Sequence, residues 1–201
     1  SGCTNFESAF SNCRSIEKVT IADMSNYTGN TNARFHSVFS NCVSLKKIEV
    51  INPRIGPTTY SQGAVSFFHS CLSLEYVPYL DLSGVKNLSS MFYNCWNLKK
   101  IAGLNTPDCN DFYRMFYDCK DLYEVPDLDI TCRGTGNVRL RQTFEGTNIS
   151  EVPNYDFSRC YSMEGWKNST NIQSGVISLD LSNMISSVST YGYNGNLGLH
   201  P

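Results

Sequence analysis

Cysteine is the residue with the most chemistry on offer in this chain. Nine cysteines and three histidines stand among 201 residues. Zinc would draw Cys and His ligands together at close spacing. A thiol nucleophile would need a histidine and an orienting third group in one cleft, and an oxidising compartment would pair the thiols as disulfides. No Cys-x2-Cys occurs, and His36, His69 and His200 are scattered along the chain. Asp127 and Asp129 alternate as the solvated face of a strand does. The sequence has no glycine-rich phosphate loop, nucleophile elbow or EF-hand spacing. The expectation is a protein that is not an enzyme and uses no metal or cofactor, whose work is recognition.

The spacing of the cysteines leads from the side chains to the elements that hold them. Cys13, Cys42, Cys71, Cys95 and Cys119 are 29, 29, 24 and 24 residues apart. Each sits in one phrase: FESAFSNCRSIEKVTI from Phe6, FHSVFSNCVSLKKIEV from Phe35, AVSFFHSCLSLEYVPYLDL from Ala64, LSSMFYNCWNLKKIAGLN from Leu88 and DFYRMFYDCKDLYEVPDLD from Asp111. A sixth, degraded copy from Leu140 places Thr147 at the cysteine position. Repeats of roughly 20–29 residues built on L-x-x-L-x-L are the signature of leucine-rich-repeat coils. Each copy predicts a short strand, such as LKKIEV from Leu45 or LEYVPYLDL from Leu74, with alternate residues inward. The preceding element is apolar at i, i+3 and i+4, as in Phe112, Met115 and Phe116, which suits one helical or 3-10 turn or a short bent strand.

The fold class expected is therefore a repeat solenoid, leucine-rich-repeat-like. Short parallel strands stack in a right-handed coil, with short helical or 3-10 turns or bent strands on the other face. About six coils of 24–29 residues occupy 1–157, and 158–201 forms a C-terminal cap or the transition to another module. Stacking buries faces that one coil alone cannot. The extra residues of the longer coils fall in 22–34 and 52–63, with 131–137 a third such segment; rich in Gly, Pro, Asn and Thr, they are predicted to bulge as turns. The chain opens at Ser1-Gly2, without methionine and one step before a repeat, as expected of a fragment.

In this frame the five cysteines make an inward column with steps of about 5 Å, where a small buried thiol packs well. They are expected as a reduced ladder, because Thr147 replaces a packing residue more readily than a disulfide partner. Cys3, Cys109, Cys132 and Cys160 stand outside the column, where the pairing stays open. Outward residues form two further columns: Glu17, Lys46, Glu75, Lys99, Tyr123, and Lys18, Lys47, Tyr76, Lys100, Glu124, Glu151. Their alternating sign predicts cross-strand ion pairs; the competing reading is a recognition stripe. Tyr93, Trp96, Tyr113, Tyr117 and Tyr123 occupy positions that hold Ser, His, Arg, Val, Leu or Lys in other copies. Such tolerance predicts exposure, and exposed Tyr and Trp suit sugars or proteins. The candidate binding residues are thus Tyr76, Tyr93, Trp96, Tyr113, Tyr117 and Tyr123, with Tyr27, Arg54 and Tyr60 in the insertion loops.

A net charge of -2 gives no basic field for nucleic acid. No apolar run approaches the ~18 residues of a membrane span. The phrase F-x-N-C-x-S-L-x-x-I, with DLSGVKNLSSMFYNCWNL over 81–98, resembles the BspA-like bacterial surface leucine-rich repeats and the related repeats of mycoplasmal lipoproteins. The resemblance covers about residues 5–157. It implies a non-catalytic adhesion module on a bacterial cell surface or phage virion, hence extracellular, that binds a protein or glycan on a host or neighbouring surface. The alternative is a virion structural component, a tail fibre, tail tip or head decoration, in which the coils are a rigid scaffold packed on other virion subunits.

Overall fold

The computed structural model describes residues 5–21, 34–51, 55, 63–124, 126–133, 136–149 and 155–165. Eight short strands run in order among these residues: β1 (Lys18–Ile21), β2 (Lys47–Val50), β3 (Tyr76–Val77), β4 (Leu80–Asp81), β5 (Lys100–Ile101), β6 (Leu104–Asn105), β7 (Val138–Arg139) and β8 (Cys160–Ser162). Every pairing is parallel: β1-β2-β3-β5 form one sheet, β4 lies beside β6, and β7 beside β8. Lys18 is in register with Lys47, Lys47 with Tyr76, and Tyr76 with Lys100, so each repeat sets the same phrase position against its neighbour. Outward Lys47 and Tyr76 alternate with buried Ile48 and Val77, the period of two that a half-buried strand needs. β3 stops at Pro78, which has no N–H for the ladder.

No helix occurs among the described residues, which corrects the helical or 3-10 turn expected before each strand. The segment is instead a pair of turns whose third residues have positive φ: Ser8 and Asn12, then Ser37 and Asn41, Ser66 and Ser70, Ser90 and Asn94, Arg114 and Asp118, Gln142 and Gly146. The Ala9 N–H closes one turn on Phe6 O, and the Cys13 N–H closes the other on Phe10 O. Positive φ at the third position makes these type II turns. Between them the N–H groups of Phe6, Ser8, Phe10 and Asn12 donate to the carbonyls of Arg34, His36, Val38 and Ser40 at 2.8–3.0 Å. Leu88, Ser90, Phe92 and Asn94 donate likewise to Asp111, Tyr113, Met115 and Tyr117. All eight of these bonds run from one repeat to the next one along the chain. A helix would have kept each N–H inside its own segment.

Asn and Asp begin this turn column. The Oδ1 atoms of Asn5, Asn87 and Asp111 accept the N–H of Glu7, Ser89 and Tyr113 at 2.9–3.0 Å, the Asx turn that such residues favour. The core lies between turn column and strands. Phe10, Phe39, Phe68, Phe92, Phe116 and Phe144 stack ring on ring, with centroids 5.3–5.6 Å apart and planes within 12°. Met91, Met115, Leu74, Leu98 and Leu122 beside them are fully buried, each contributing about 1.5–3 kcal/mol. Phe10 has one stacked ring neighbour among the described residues and is 45% exposed.

The repeat bonding continues beyond residue 157. Leu140 and Gln142 donate to Ser162 and Glu164, and Gly165 takes the positive φ of the next turn. Two segments expected only to bulge also anchor in the core: Ile55 is buried and donates to Asp81 O, and Cys132 is buried.

Candidate functional site

Two surfaces gather the aromatic and charged side chains. On the sheet face the outward columns are cross-linked. Lys46 pairs with Glu17 at 3.3 Å, Lys99 with Glu75 at 3.0 Å and Lys100 with Glu124 at 2.8 Å. Glu49 takes both Lys18 and Lys47, at 2.8 and 3.0 Å, and their hydrogen bonds hold its carboxyl below the usual range. The same partnership pushes Lys99 and Lys100 up through Glu75 and Glu124. These five lysines and four glutamates nearly cancel. What stands free among them is aromatic: Tyr76 and Tyr123, 48% and 56% exposed, both within electrostatic reach of Lys100. Trp96 is exposed with the Lys120 ammonium 4.4 Å over its ring. Tyr79 is exposed beside Gly103, where an added Cβ would meet Tyr79 Cδ2 at 3.2 Å.

On the turn face Tyr93, Tyr113 and Tyr117 are half-buried, which corrects the exposure expected of them. Two of the three cover one another: His69, Tyr93 and Tyr117 stack at 4.8 and 4.9 Å with planes within 5°. Burial pushes the Tyr117 phenol up and the His69 imidazole down. Tyr113 is wrapped by cations instead. Arg139 lies 4.0 Å from its ring centroid, Arg114 4.9 Å and Arg141 5.8 Å, and Arg114 also reaches Tyr117 at 5.2 Å. Arg114 Nε donates to Gln142 Oε1 at 2.8 Å, Arg139 pairs with Asp111 at 3.4 Å, and Arg141 with Glu164 at 3.2 Å. The sequence reading passed over these three arginines. Arg139 and Arg141 alternate in VRLRQ at the phrase positions of Asp111 and Tyr113, which is the signal that would have stacked them there.

The cysteines are free thiols among the described residues; Cys13 is half-exposed, and Cys42, Cys71, Cys95, Cys109, Cys119, Cys132 and Cys160 are buried. Burial pushes the thiols of Cys42, Cys71, Cys95, Cys109 and Cys119 upward, and that of Cys160 to about 11. A protonated thiol is a weak nucleophile. No group of three or more His, Cys, Asp or Glu side chains among the described residues is placed to hold a metal ion. No helix among them is long and apolar enough to cross a membrane. Tyr27, Arg54 and Tyr60 lie outside the described residues. No protein-family model, curated protein or solved structure matches the chain.

Proposed function

We propose that the chain is a leucine-rich-repeat-like solenoid of the BspA-like surface kind, serving as a non-catalytic recognition module on a cell surface or virion. Its ligand is a protein or glycan, met by the sheet face. The observation that carries this reading is the exposure of Tyr76, Trp96 and Tyr123 on and beside strands whose lysines and glutamates already pair with each other. An aromatic ring held on a rigid strand offers contact area at small entropic cost. Flanking charges that neutralise one another leave little long-range steering.

A glycan and host-surface protein array, read with the wild-type chain and with Tyr76→Ala and Trp96→Ala, tests the proposal. A ligand bound by the wild type and lost by both folded variants is the expected result. Binding that both variants retain would move recognition off this face. The alternative, a virion scaffold, takes the same exposed rings, Tyr76, Tyr79, Trp96 and Tyr123, as the surface that a neighbouring subunit covers. Protection of Tyr76 and Trp96 in an intact particle, without ligand binding by the isolated chain, would favour it.

A further inference from the structure

The guanidinium groups of Arg114, Arg139 and Arg141 lie 4.0–5.8 Å from one ring centroid, that of Tyr113. Among the described residues each meets a single side-chain acceptor, and one of those, Gln142, is neutral. Asp111 and Glu164 pair with Arg139 and Arg141, and Asp118 and Glu145 lie toward Tyr117 near Arg114, so what the cluster offers an anion is fixed hydrogen-bond donors and not a surplus of positive charge. Arg141 Nε is buried without an aligned acceptor, because Glu164 Oε2 at 3.2 Å stands off the N–H direction. A guanidinium carries five N–H donors in a planar fork, so most of the donors in this cluster have no side-chain acceptor among the described residues. The groups are also fixed and reachable: the side chains of Arg139 and Arg141 are 29% and 37% exposed, and all three guanidiniums rest on tyrosine. Asp118 and Glu145 lie on the Tyr117 side, which leaves the side formed by Arg139 and Arg141 as the approach for an anion.

We propose that Arg139 and Arg141, with Arg114 and Tyr113, form a second binding site that takes the oxyanion of an acidic saccharide, a sulfate ester or a uronate carboxylate. Arginine forks match such oxygens in bidentate fashion. A saccharide is favoured over an acidic peptide by Tyr161, 39% exposed and within electrostatic reach of Arg139, whose ring offers an apolar face to sugar C–H groups on that side. The inference extends the recognition reading to a different face, and the two can fail separately.

The test is a calorimetric titration of the chain with sulfated, uronate-containing and neutral oligosaccharides of equal length, inorganic sulfate and a phosphopeptide. Acidic saccharides are expected to bind, the neutral one not at this face. The Arg139→Gln/Arg141→Gln pair is expected to weaken acidic binding by tenfold or more, on the order of one lost charge-assisted contact. Arg139→Lys/Arg141→Lys, which keeps the charge and the fold, is expected to fall between. Equal binding of acidic and neutral saccharides, no change on either double substitution, or tighter binding of the phosphopeptide would overturn the proposal. Loss through Tyr76→Ala with the arginine pair indifferent would overturn it too while sparing the sheet-face reading.

Discussion

The Cys95 thiol donates to the backbone oxygen of Phe68 at 3.1 Å, across the boundary between two repeats. That oxygen also accepts the Cys71 N–H, which closes the turn of its own repeat. Cys42 reaches Phe10 O, Cys71 reaches Phe39 O and Cys119 reaches Phe92 O in the same way, at 3.0–3.2 Å. Cysteine is here a small core residue that also supplies a donor to the repeat before it. Thr147, in the same column, turns its hydroxyl to Phe144 O of its own repeat at 2.7 Å.

Cys95→Ala is predicted to destabilise the chain by about 1–2 kcal/mol, from the lost donor and the small void it leaves. Cys95→Thr is predicted to cost less than Cys95→Ala, since Thr147 shows how a hydroxyl is satisfied in this column. Urea unfolding of the two variants beside the wild type measures both, and a threonine variant weaker than the alanine one would refute the account of Thr147.

Stability is predicted to decline in alkali before any surface lysine titrates. Folding raises the thiols of Cys71, Cys95 and Cys119 above their ordinary value near 9.0. Below that value both folded and unfolded chains hold the protons, and the stabilisation is fully present. Above it the unfolded chain ionises while the folded one does not, so stability falls until the pH passes the folded value. Each such thiol steepens the fall by about 1.4 kcal/mol per pH unit. Urea midpoints between pH 8 and 10 should show it, and Cys71→Ala should flatten the slope.

Left-handed residues other than glycine carry a backbone cost in this turn column. Ser90, at φ 56, and Asn94, at φ 58, are examples. Ser90→Gly is predicted to stabilise by about 0.5–1 kcal/mol, reduced by the greater freedom of the unfolded chain. Asn94→Val, a branched side chain forced into the same region, is predicted to cost about 1–2 kcal/mol. A shift of denaturation midpoint in the opposite direction for either would contradict the turn assignment.

The two faces are predicted to differ in their response to salt. Ligand binding at Tyr76 and Trp96, among paired lysines and glutamates, should change less than threefold between 50 and 500 mM salt, on the order expected of a screened neutral patch. Oxyanion binding at Arg139 and Arg141 should weaken severalfold or more over the same range. Titrations at the two salt concentrations check this.

Short parallel strands in one register were legible because Lys47, Tyr76 and Lys100 hold one phrase position, at the same offset from Cys42, Cys71 and Cys95, although the repeats differ in length. The pairs Glu17–Lys46 and Glu75–Lys99 follow from the same alignment. The turn geometry was not legible. An apolar pattern at i, i+3 and i+4 describes which side chains point inward, and a double turn satisfies it as well as a helix does. The discriminating residues, Ser8, Asn12, Ser90 and Asn94, read as ordinary polar positions until their φ values are known. Tyr93 and Tyr117 looked exposed because Ser and His replace them elsewhere in the column; mutual stacking of rings does not show in one repeat at a time. Arg139 and Arg141 stand where the sixth copy degrades, so the phrase drew no attention to them.

The one-way bonding of the turn column gives that column a direction. Its peptide dipoles add along the stack as they do along a helix axis. His36, Val38 and Ser40 accept through their carbonyls from the repeat before them, while Ser37, Phe39 and Asn41 donate through their N–H groups to the repeat after. Each repeat therefore offers acceptors on one side of this column and donors on the other, so a further copy of the phrase extends the column only in the same sense, its peptide dipoles adding to the rest.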